Sequence, residues 1–274
     1  MLDRERAGFN QRVLTRLLDE GLLRRDMSVL VSCGGDTDRE VLQACGFSDV
    51  TITNVDASGE DDRYAPYAWA YQDAEALTTA DETYDVALVS AGLHHCHSPH
   101  RALLELYRVA RVAAVVFEAA DSALMRAAVR ASLAADYEVS AVAHQSLRGG
   151  GVANSEVPNF VYRWTPREVE KTVASYAPHA RHRIRYFHDL ELPSSLLQLE
   201  RTSTRGRLVR AARPFVTGLA RVFPSQANLL GFVICKPRLP EDLQPWMTLV
   251  DGRPAPDAAA IGERYHIGGD IDVG

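Results

Sequence analysis

The stretch from Met27 to Asp56 limits the folds open to this chain more than any other part of the sequence. It reads as a short apolar strand, a Gly34-Gly35 turn, a helix and a second strand that ends on Asp56. A short apolar run of this kind is typical of a strand buried on both faces of a parallel sheet. The paired glycines directly after it permit a sharp turn and let a ligand approach the backbone.

Asp56 indicates which edge of this unit binds a ligand. In open α/β sheets, an acid at the carboxyl end of a strand commonly holds a ribose diol. Asp36 or Thr37 is predicted to cap the intervening helix, whose first backbone N–H groups would face the same crevice. The stretch therefore predicts a site for a nucleotide-like ligand.

Strand-like and helix-like segments alternate over the rest of the first half. Further strands are predicted at 67–71, 84–90 and 112–117. Helices or helical turns are predicted at 3–20, 74–80, 99–108 and 122–135. This alternation predicts an α/β fold with a doubly wound, Rossmann-like, mostly parallel sheet.

The second half is less regular. A capping box, Thr165 to Glu168, begins a predicted helix, and strands are predicted at 182–189 and 229–235. We expect a single domain over 1–237, with an N-terminal helix, two insertions and a separate tail. These parts span 1–21 (helix), 136–163 (lid or substrate insertion), 194–223 (arginine-rich helical insertion, interrupted near Gly206 and Pro214) and 238–274 (acidic tail).

Charge is distributed unevenly near the C-terminus. From Arg201 to Arg238 there are eight basic residues and no acid, whereas the tail from Leu239 carries seven acids and two arginines. We expect the tail to cover part of a solvated basic face. The alternative is a site for an anionic substrate or a peripheral contact with a membrane.

Composition narrows the class of protein. With 274 residues, 46% of them hydrophobic, the chain can bury one sizeable core. Its net charge of −6 argues against nucleic-acid binding. No run is long enough to span a bilayer and the N-terminus lacks an apolar signal region, so we expect a cytoplasmic protein. The four cysteines form no CxxC pair and are expected to be buried free thiols, and the oligomeric state is left open.

Four collinear motifs resemble those of the class I S-adenosylmethionine (SAM) dependent methyltransferases, in the small-molecule branch typified by ubiquinone and menaquinone methyltransferases. They read VLVSCGGDT, NVD, QDAEALTTADETYDVALVSAGLHH and PHRALLELYRVAR, and the resemblance covers about 27–120. It implies seven strands with an antiparallel last strand, SAM as cofactor and a small-molecule acceptor. Cys33 and Thr37 stand where the outer glycines of the family turn are expected. The turn also lacks the GxGxxG of a nicotinamide site.

The same resemblance implies which residues bind SAM. Asp56 is expected to hold the ribose, Asp73 to lie near the adenine amine, and the glycine turn to face the cofactor. The complete predicted set follows the strands of the first half: Cys33, Gly34, Gly35, Asp56, Ala57, Asp73, Ala74 and Ser90.

The histidine-rich AGLHH segment is implied to line the methyl-transfer cleft. Methylating a hydroxyl requires removal of its proton, and a neutral imidazole suits that task near pH 7. His95 or His94 is therefore the candidate general base, with packing or orientation of SAM as the alternative. Alignment alone can also drive methyl transfer. No metal is expected, because the family segment binds none and two adjacent histidines are not expected to turn both rings to one ion.

The segment 144–163 is the candidate for acceptor recognition, through Gly151, Asn154, Tyr162 and Arg163. The predicted function is methyl transfer from SAM to a small molecule, with a hydroxyl oxygen of a sugar or secondary-metabolite intermediate favoured. Two other classes stay open: a non-catalytic scaffold or regulator with a SAM fold, and a nicotinamide-dependent oxidoreductase.

Overall fold

A seven-stranded sheet organises the described part of the computed structural model, residues 2–56, 62–191 and 204–265. In chain order its strands are β1 (Val29–Ser32), β2 (Val50–Asn54), β3 (Ala68–Tyr71), β4 (Tyr84–Ser90), β5 (Ala110–Ala119), β6 (Arg183–Asp189) and β7 (Leu229–Cys235). They lie in the order β3-β2-β1-β4-β5-β7-β6. Neighbours from β3 to β5 are parallel, whereas β7 runs antiparallel to β5 and β6. The predicted doubly wound sheet with an antiparallel last strand is confirmed.

Helices cover both faces of this sheet. They are α1 (Leu2–Asp19), α2 (Asp36–Cys45), α3 (Pro99–Val109), α4 (Ala123–Arg130), α5 (Val139–His144), α6 (Pro166–Tyr176), α7 (Thr204–Val222) and α8 (Ala258–Tyr265). Side chains alternate along β1, so Val29 and Val31 belong to the core that includes α1 and α2. Leu30 between them belongs to the opposite core, which includes α3 and α6. All four residues of β1 are buried, as its apolar run predicted.

The start of α2 differs from the prediction. Its N-cap is Gly35 rather than Asp36 or Thr37. Asp38, in the first turn of the helix, accepts a hydrogen bond from the backbone N–H of Gly35 at 2.9 Å. The Asp38 carboxylate thus reaches back from inside the helix to the N-cap, and the capping role predicted for Asp36 or Thr37 belongs to Asp38.

Two further segments depart from the sequence pattern. The helical turn predicted at 74–80 is a short turn, closed by a hydrogen bond from Ala76 N–H to the carbonyl of Asp73 at 3.0 Å. The arginine-rich helix is not interrupted, because α7 continues through Gly206 and Pro214. The part of that predicted insertion at 194–203 lies outside the described residues.

The start of the predicted tail is structured. Strands β8 (Met247–Val250) and β9 (Arg253–Pro256) form an antiparallel hairpin ahead of α8. Before the hairpin, Leu243 forms a β-bridge with Ala180, and Asp242 lies 3.8 Å from Arg183 at the start of β6. These contacts place the first acids of the tail beside β6.

No helix among the described ranges combines the length and hydropathy that a membrane span requires.

Candidate cofactor and acceptor site

The carboxyl ends of β1, β2 and β4 border a cavity of about 860 Å³. From β1 the chain moves outward to β2 and β3 and then returns to β4 on the other side of β1. Such a reversal is where open α/β sheets bind their ligands. The structure brings seven of the predicted site residues to the cavity: Cys33, Asp56, Asp73, Ala74, His95, Gly151 and Asn154. Ala57, predicted to bind the cofactor, lies outside the described residues.

The turn after β1 keeps the backbone shape of a glycine turn despite its cysteine. Cys33 has φ = +53°, in the left-handed region that glycine favours. A Cβ on Gly92, in the loop after β4, would lie 2.5 Å from the Cβ of Cys33. The Cys33 side chain therefore fills space that only a glycine at position 92 leaves open.

Gly34 and Gly35 are glycines for different reasons. A Cβ on Gly34 would approach the side chains of Ile52 and Val31 to 2.8 Å each, so packing against β1 and β2 excludes a side chain there. A Cβ on Gly35 would meet nothing within 4 Å. Neither glycine lies among the residues that line the cavity, although they directly follow Cys33, which does.

Asn54, the last residue of β2, connects the glycine turn to Asp56. Its side-chain amide donates to the carbonyl of Gly34 at 3.0 Å, and its Oδ1 accepts the N–H of Asp56 at 3.3 Å. Asn54 also lines the cavity. Sequence reasoning overlooked this residue, although its place two residues before the candidate ribose ligand was a usable signal.

Glu75 connects the loops that follow β3 and β4. Its carboxylate accepts the backbone N–H groups of His97 at 2.7 Å and Ser98 at 2.9 Å. Asp73 in turn accepts the N–H of Glu75 at 2.9 Å, which shapes the loop from within. Sequence reasoning did not identify Glu75 either, since it selected only the two residues before it.

Ser90 lies outside the cavity lining, at the end of β4. Its hydroxyl accepts a hydrogen bond from the side-chain amide of Asn10 on α1 at 2.8 Å. The structure therefore places this predicted cofactor residue at the contact between the N-terminal helix and the sheet.

His94 lies behind the cavity wall, in a 3-10 turn at Leu93–His95. Its Nδ1 is 2.7 Å from a carboxylate oxygen of Glu118, whose other oxygen accepts the N–H of Leu93 at 2.7 Å. Burial lowers the pKa of His94, but Glu118 and Glu138 outweigh it and raise that pKa to about 10. A histidine already charged at neutral pH does not suit the general-base role predicted for His94.

His95 forms part of the cavity wall. Its Nδ1 lies 3.4 Å from the carbonyl oxygen of Gly151 and its Nε2 3.4 Å from Glu138. Both ring nitrogens face hydrogen-bond acceptors, so the neutral ring donates from one of them and keeps its lone pair on the other; donation from Nδ1 to Gly151 leaves the lone pair on Nε2. Burial and the charge of His94 both lower the pKa of His95. His95 therefore presents a basic nitrogen beside the cavity.

Both rings turn toward the same carboxylate, contrary to the expectation for adjacent histidines. Nε2 of His94 lies 3.5 Å, and Nε2 of His95 3.4 Å, from Oε2 of Glu138. Glu118 holds the ring of His94 by its Nδ1, and Gly151 holds the ring of His95 by its Nδ1. These contacts direct both Nε2 atoms toward Glu138. Adjacent histidine rings can therefore face one partner, contrary to the geometric argument against a shared ion.

Tyr162 and Arg163 are not brought to this cavity. They line a separate cavity of about 380 Å³. Tyr162 donates its hydroxyl to Glu168 at 2.9 Å, and Arg163 donates to Asp136 at 3.0 Å. These contacts anchor the end of the insertion, whereas Gly151 and Asn154, earlier in it, reach the main cavity.

The cavity is large enough for a ligand of the size of SAM. Pockets for ligands of this size measure about 300–1,000 Å³. Asp56 at the end of β2 offers carboxylate oxygens for ribose hydroxyls, and Asp73 is the nearby acid of the loop after β3. Gly92, in the loop after β4, lines the cavity without a side chain.

Comparison with known proteins agrees with this geometry. The family model described as a methyltransferase domain matches residues 29–117, about a third of the chain. A search of the curated proteins finds no match.

Several solved structures are similar to the chain. YcgJ of Bacillus subtilis is 13% identical, with a TM-score of 0.49 over 83% of this chain and 99% of that one. A SAM-dependent methyltransferase from Archaeoglobus fulgidus is 12% identical, with a TM-score of 0.47 over 84% and 96%. Magnesium protoporphyrin IX methyltransferase from Synechocystis PCC 6803 is 13% identical, with a TM-score of 0.43 over 82% and 80%.

The matched residues run from the start of β1 into β5 and include the turn at Cys33, Asp56, Asp73 and the histidine pair. Over these residues the chain is similar to a methyltransferase domain, which supports S-adenosylmethionine as its cofactor.

Proposed function

We propose that this protein transfers the methyl group of SAM to a hydroxyl oxygen of a small molecule, a sugar or a secondary-metabolite intermediate. The observation that carries the choice of oxygen is the position of His95. Its imidazole lines the cavity, and the tautomer that donates from Nδ1 to the carbonyl of Gly151 keeps the lone pair on Nε2. A hydroxyl acceptor is the kind of substrate that needs such a nitrogen, because its proton must leave as the oxygen attacks.

The cofactor side of the cavity lies at the strand ends. Asp56 binds the ribose and Asp73 lies near the adenine amine, with Cys33 and Ala74 as neighbouring walls. Asn54 fixes the backbone of both the glycine turn and Asp56, so it positions the ribose ligand. Ala57 is proposed to extend this side. Bound there, SAM supplies an electrophilic methyl group on a sulfonium.

The acceptor side lies opposite, on α5 and the loop that follows it. Gly151 and Asn154 line it, together with the polar side chains of Ser140, His144 and Gln145. A wall with several polar groups suits an acceptor that carries several hydroxyls. Gly151 cannot bear a side chain, because a Cβ there would lie 1.9 Å from the carbonyl oxygen of Val157. The backbone at this point can thus approach an acceptor closely.

Proton removal is assigned to His95. The O–H bond of the acceptor breaks as its proton moves to Nε2, and the ring becomes an imidazolium. Glu138, 3.4 Å away, stabilises that charge, since an opposite charge at this distance favours the protonated ring. His94 stays charged and holds Glu138 in place.

The test measures formation of S-adenosylhomocysteine with a panel of hydroxylated small molecules, followed by NMR of the product. We expect a methyl ether, and we expect His95→Gln to lower kcat by about 10²–10⁴-fold. His97→Gln serves as the control, because His97 is exposed in the same loop and uses only its backbone N–H. A methylated nitrogen or carbon, or unchanged turnover in His95→Gln, would contradict the proposal. SAM binding with no turnover on any acceptor would favour the scaffold alternative.

A further inference from the structure

Three side chains beside the acceptor wall converge on one point. Nε2 of His94 and Nε2 of His95 lie 3.5 Å and 3.4 Å from Oε2 of Glu138. The ligand atoms of this group all lie within 4.8 Å of one another. An ion held tetrahedrally about 2.1 Å from two such atoms keeps them about 3.4 Å apart. Two of the three spacings already match ligands that share one ion.

The opposite nitrogen of each ring is already engaged. Nδ1 of His94 faces the Glu118 carboxylate at 2.7 Å, and Nδ1 of His95 faces the Gly151 carbonyl at 3.4 Å. Metal-binding histidines almost always donate their second ring N–H to a carboxylate or a backbone carbonyl, which directs the other nitrogen to the ion. Both histidines have this arrangement, through different partners.

Glu138 is supported in the same way, and the local charge favours a cation. The side-chain amide of Asn159 donates to Oε2 of Glu138 at 3.4 Å and holds the carboxylate in place. Glu118 is buried and Glu138 is two-thirds buried, so two carboxylates flank His94 in a confined space. A divalent ion between them balances both.

We propose that His94, His95 and Glu138 bind a divalent transition-metal ion of the Zn²⁺ type. Two imidazoles and one carboxylate suit zinc, iron or cobalt, whereas Mg²⁺ prefers oxygen ligands. Three protein ligands leave at least one position of the ion open. That position faces the cavity, because His95 and Glu138 line it while His94 lies behind them.

The use of the ion in catalysis rests on the proposed methyl transfer, whereas the site itself does not. An acceptor hydroxyl in the open position loses its proton to water more readily, because the ion stabilises the oxyanion. His94 releases its proton to solvent when the ion binds, because only a neutral imidazole is a ligand. The lone pair of His95 also binds the ion and no longer accepts the proton. The ion-bound form and the His95-base form are therefore two exclusive ways of activating the same acceptor.

The experiment titrates the chelator-treated full chain with Co²⁺, which reports its coordination through visible absorption bands. We expect one Co²⁺ per chain, displaced by Zn²⁺ and not by Mg²⁺. His95→Ala and Glu138→Gln should each weaken Co²⁺ binding at least tenfold. His97→Ala, which removes an exposed imidazole from the same loop, should bind as the original chain does. His94 is left in place because it is buried against Glu118.

Thermal unfolding and SAM calorimetry on His95→Ala and Glu138→Gln establish that both variants fold. No 1:1 Co²⁺ spectrum at millimolar ion, or unchanged affinity in both variants, would overturn the metal site. Asp56→Ala separates this inference from the proposed function, because it should lose SAM affinity and keep Co²⁺ binding. SAM binding without Co²⁺ binding refutes the ion alone, and Co²⁺ binding without SAM binding refutes the methyltransferase assignment alone.

Discussion

Asp38 accepts the backbone N–H of Gly35 at 2.9 Å, and this bond joins the first turn of α2 to the glycine turn beside the cofactor cavity. Asp38 is buried, with 8% of its surface exposed. Burial raises its pKa to about 6, and hydrogen bonds from the backbone of Gly35 and of Asp38 itself only partly oppose the shift. Asp38, which fixes the turn, therefore changes its charge at mildly acidic pH.

This pKa predicts a specific dependence of stability on pH. Because the folded-state pKa lies above the ordinary 3.8, the protonated carboxyl favours the folded state below pH 3.8. That contribution is lost as pH rises through about 6. Asp38→Asn keeps the acceptor oxygen without the charge, so it should be more stable than the original chain at pH 7 by about 1–3 kcal/mol. Urea unfolding at pH 4 and pH 7 measures the difference, which should shrink at the lower pH.

Asp36 provides the matched control in the same turn. The hydrogen bond from Arg63 lowers the pKa of Asp36, so its charged form favours folding. Asp36→Asn should therefore be no more stable than the original chain at pH 7. An Asp38→Asn variant without a gain at pH 7 would refute the burial argument.

Loss of the Asp56 carboxylate should weaken SAM binding. Asp56→Ala removes charged hydrogen bonds to the ribose, so we expect a loss of about 1–3 kcal/mol, or roughly five- to 150-fold in affinity. Calorimetry measures it directly. Asp49→Ala is the control, because Asp49 is exposed just before β2, at the opposite edge of the sheet. Equal affinities of the two variants would remove Asp56 from the site.

The two glycines of the turn should respond differently to an added methyl group. Gly34→Ala forces a Cβ to 2.8 Å from Ile52 and Val31, so the free energy of unfolding should fall by about 1–3 kcal/mol. Gly35→Ala places its Cβ in open space at φ = −143°, so the free energy of unfolding should fall by no more than about 0.5–1 kcal/mol, the cost of alanine at an N-cap. Denaturant unfolding of the pair tests this, and similar losses in both would contradict it.

SAM should protect two of the four cysteines from alkylation. Cys33 and Cys96 line the cavity and are partly exposed, whereas Cys45 and Cys235 are buried. A hydrogen bond with Cys96 lowers the pKa of Cys33, which makes that thiol the more reactive. Mass spectrometry after brief iodoacetamide treatment should show modification at position 33 without SAM and little with it. Equal modification of Cys33 with and without SAM would place the cofactor elsewhere.

The sheet could be predicted from sequence because its central strands are continuous apolar runs. β1, β4 and β7 each bury most or all of their residues, so each run ends where a strand ends. The start of α2 could not be predicted, because several acids near its first turn compete as caps and only the folded backbone selects Asp38. The same holds for α7, where local breakers at Gly206 and Pro214 do not end the helix.

The partners of the histidine pair were beyond sequence reasoning. Glu118 is 24 residues from His94, and the parallel register that pairs Ser90 with Phe117 brings the two together. Glu138 lies in a segment without periodicity, so nothing local indicates where it points. The position of Arg163 away from the main cavity was hidden for a related reason, since its partner Asp136 is 27 residues away in the same segment.

The contact between Cys33 and Gly92 also concerns how this chain can change over evolution. A side chain at position 33 and one at position 92 would occupy the same volume, with 2.5 Å between their Cβ atoms. A Cβ at position 92 would also lie 2.8 Å from the side chain of Val89. A sequence that keeps the cysteine therefore inherits a glycine in the loop that leads to the histidine pair, and a side chain in that loop requires both position 33 and Val89 to change.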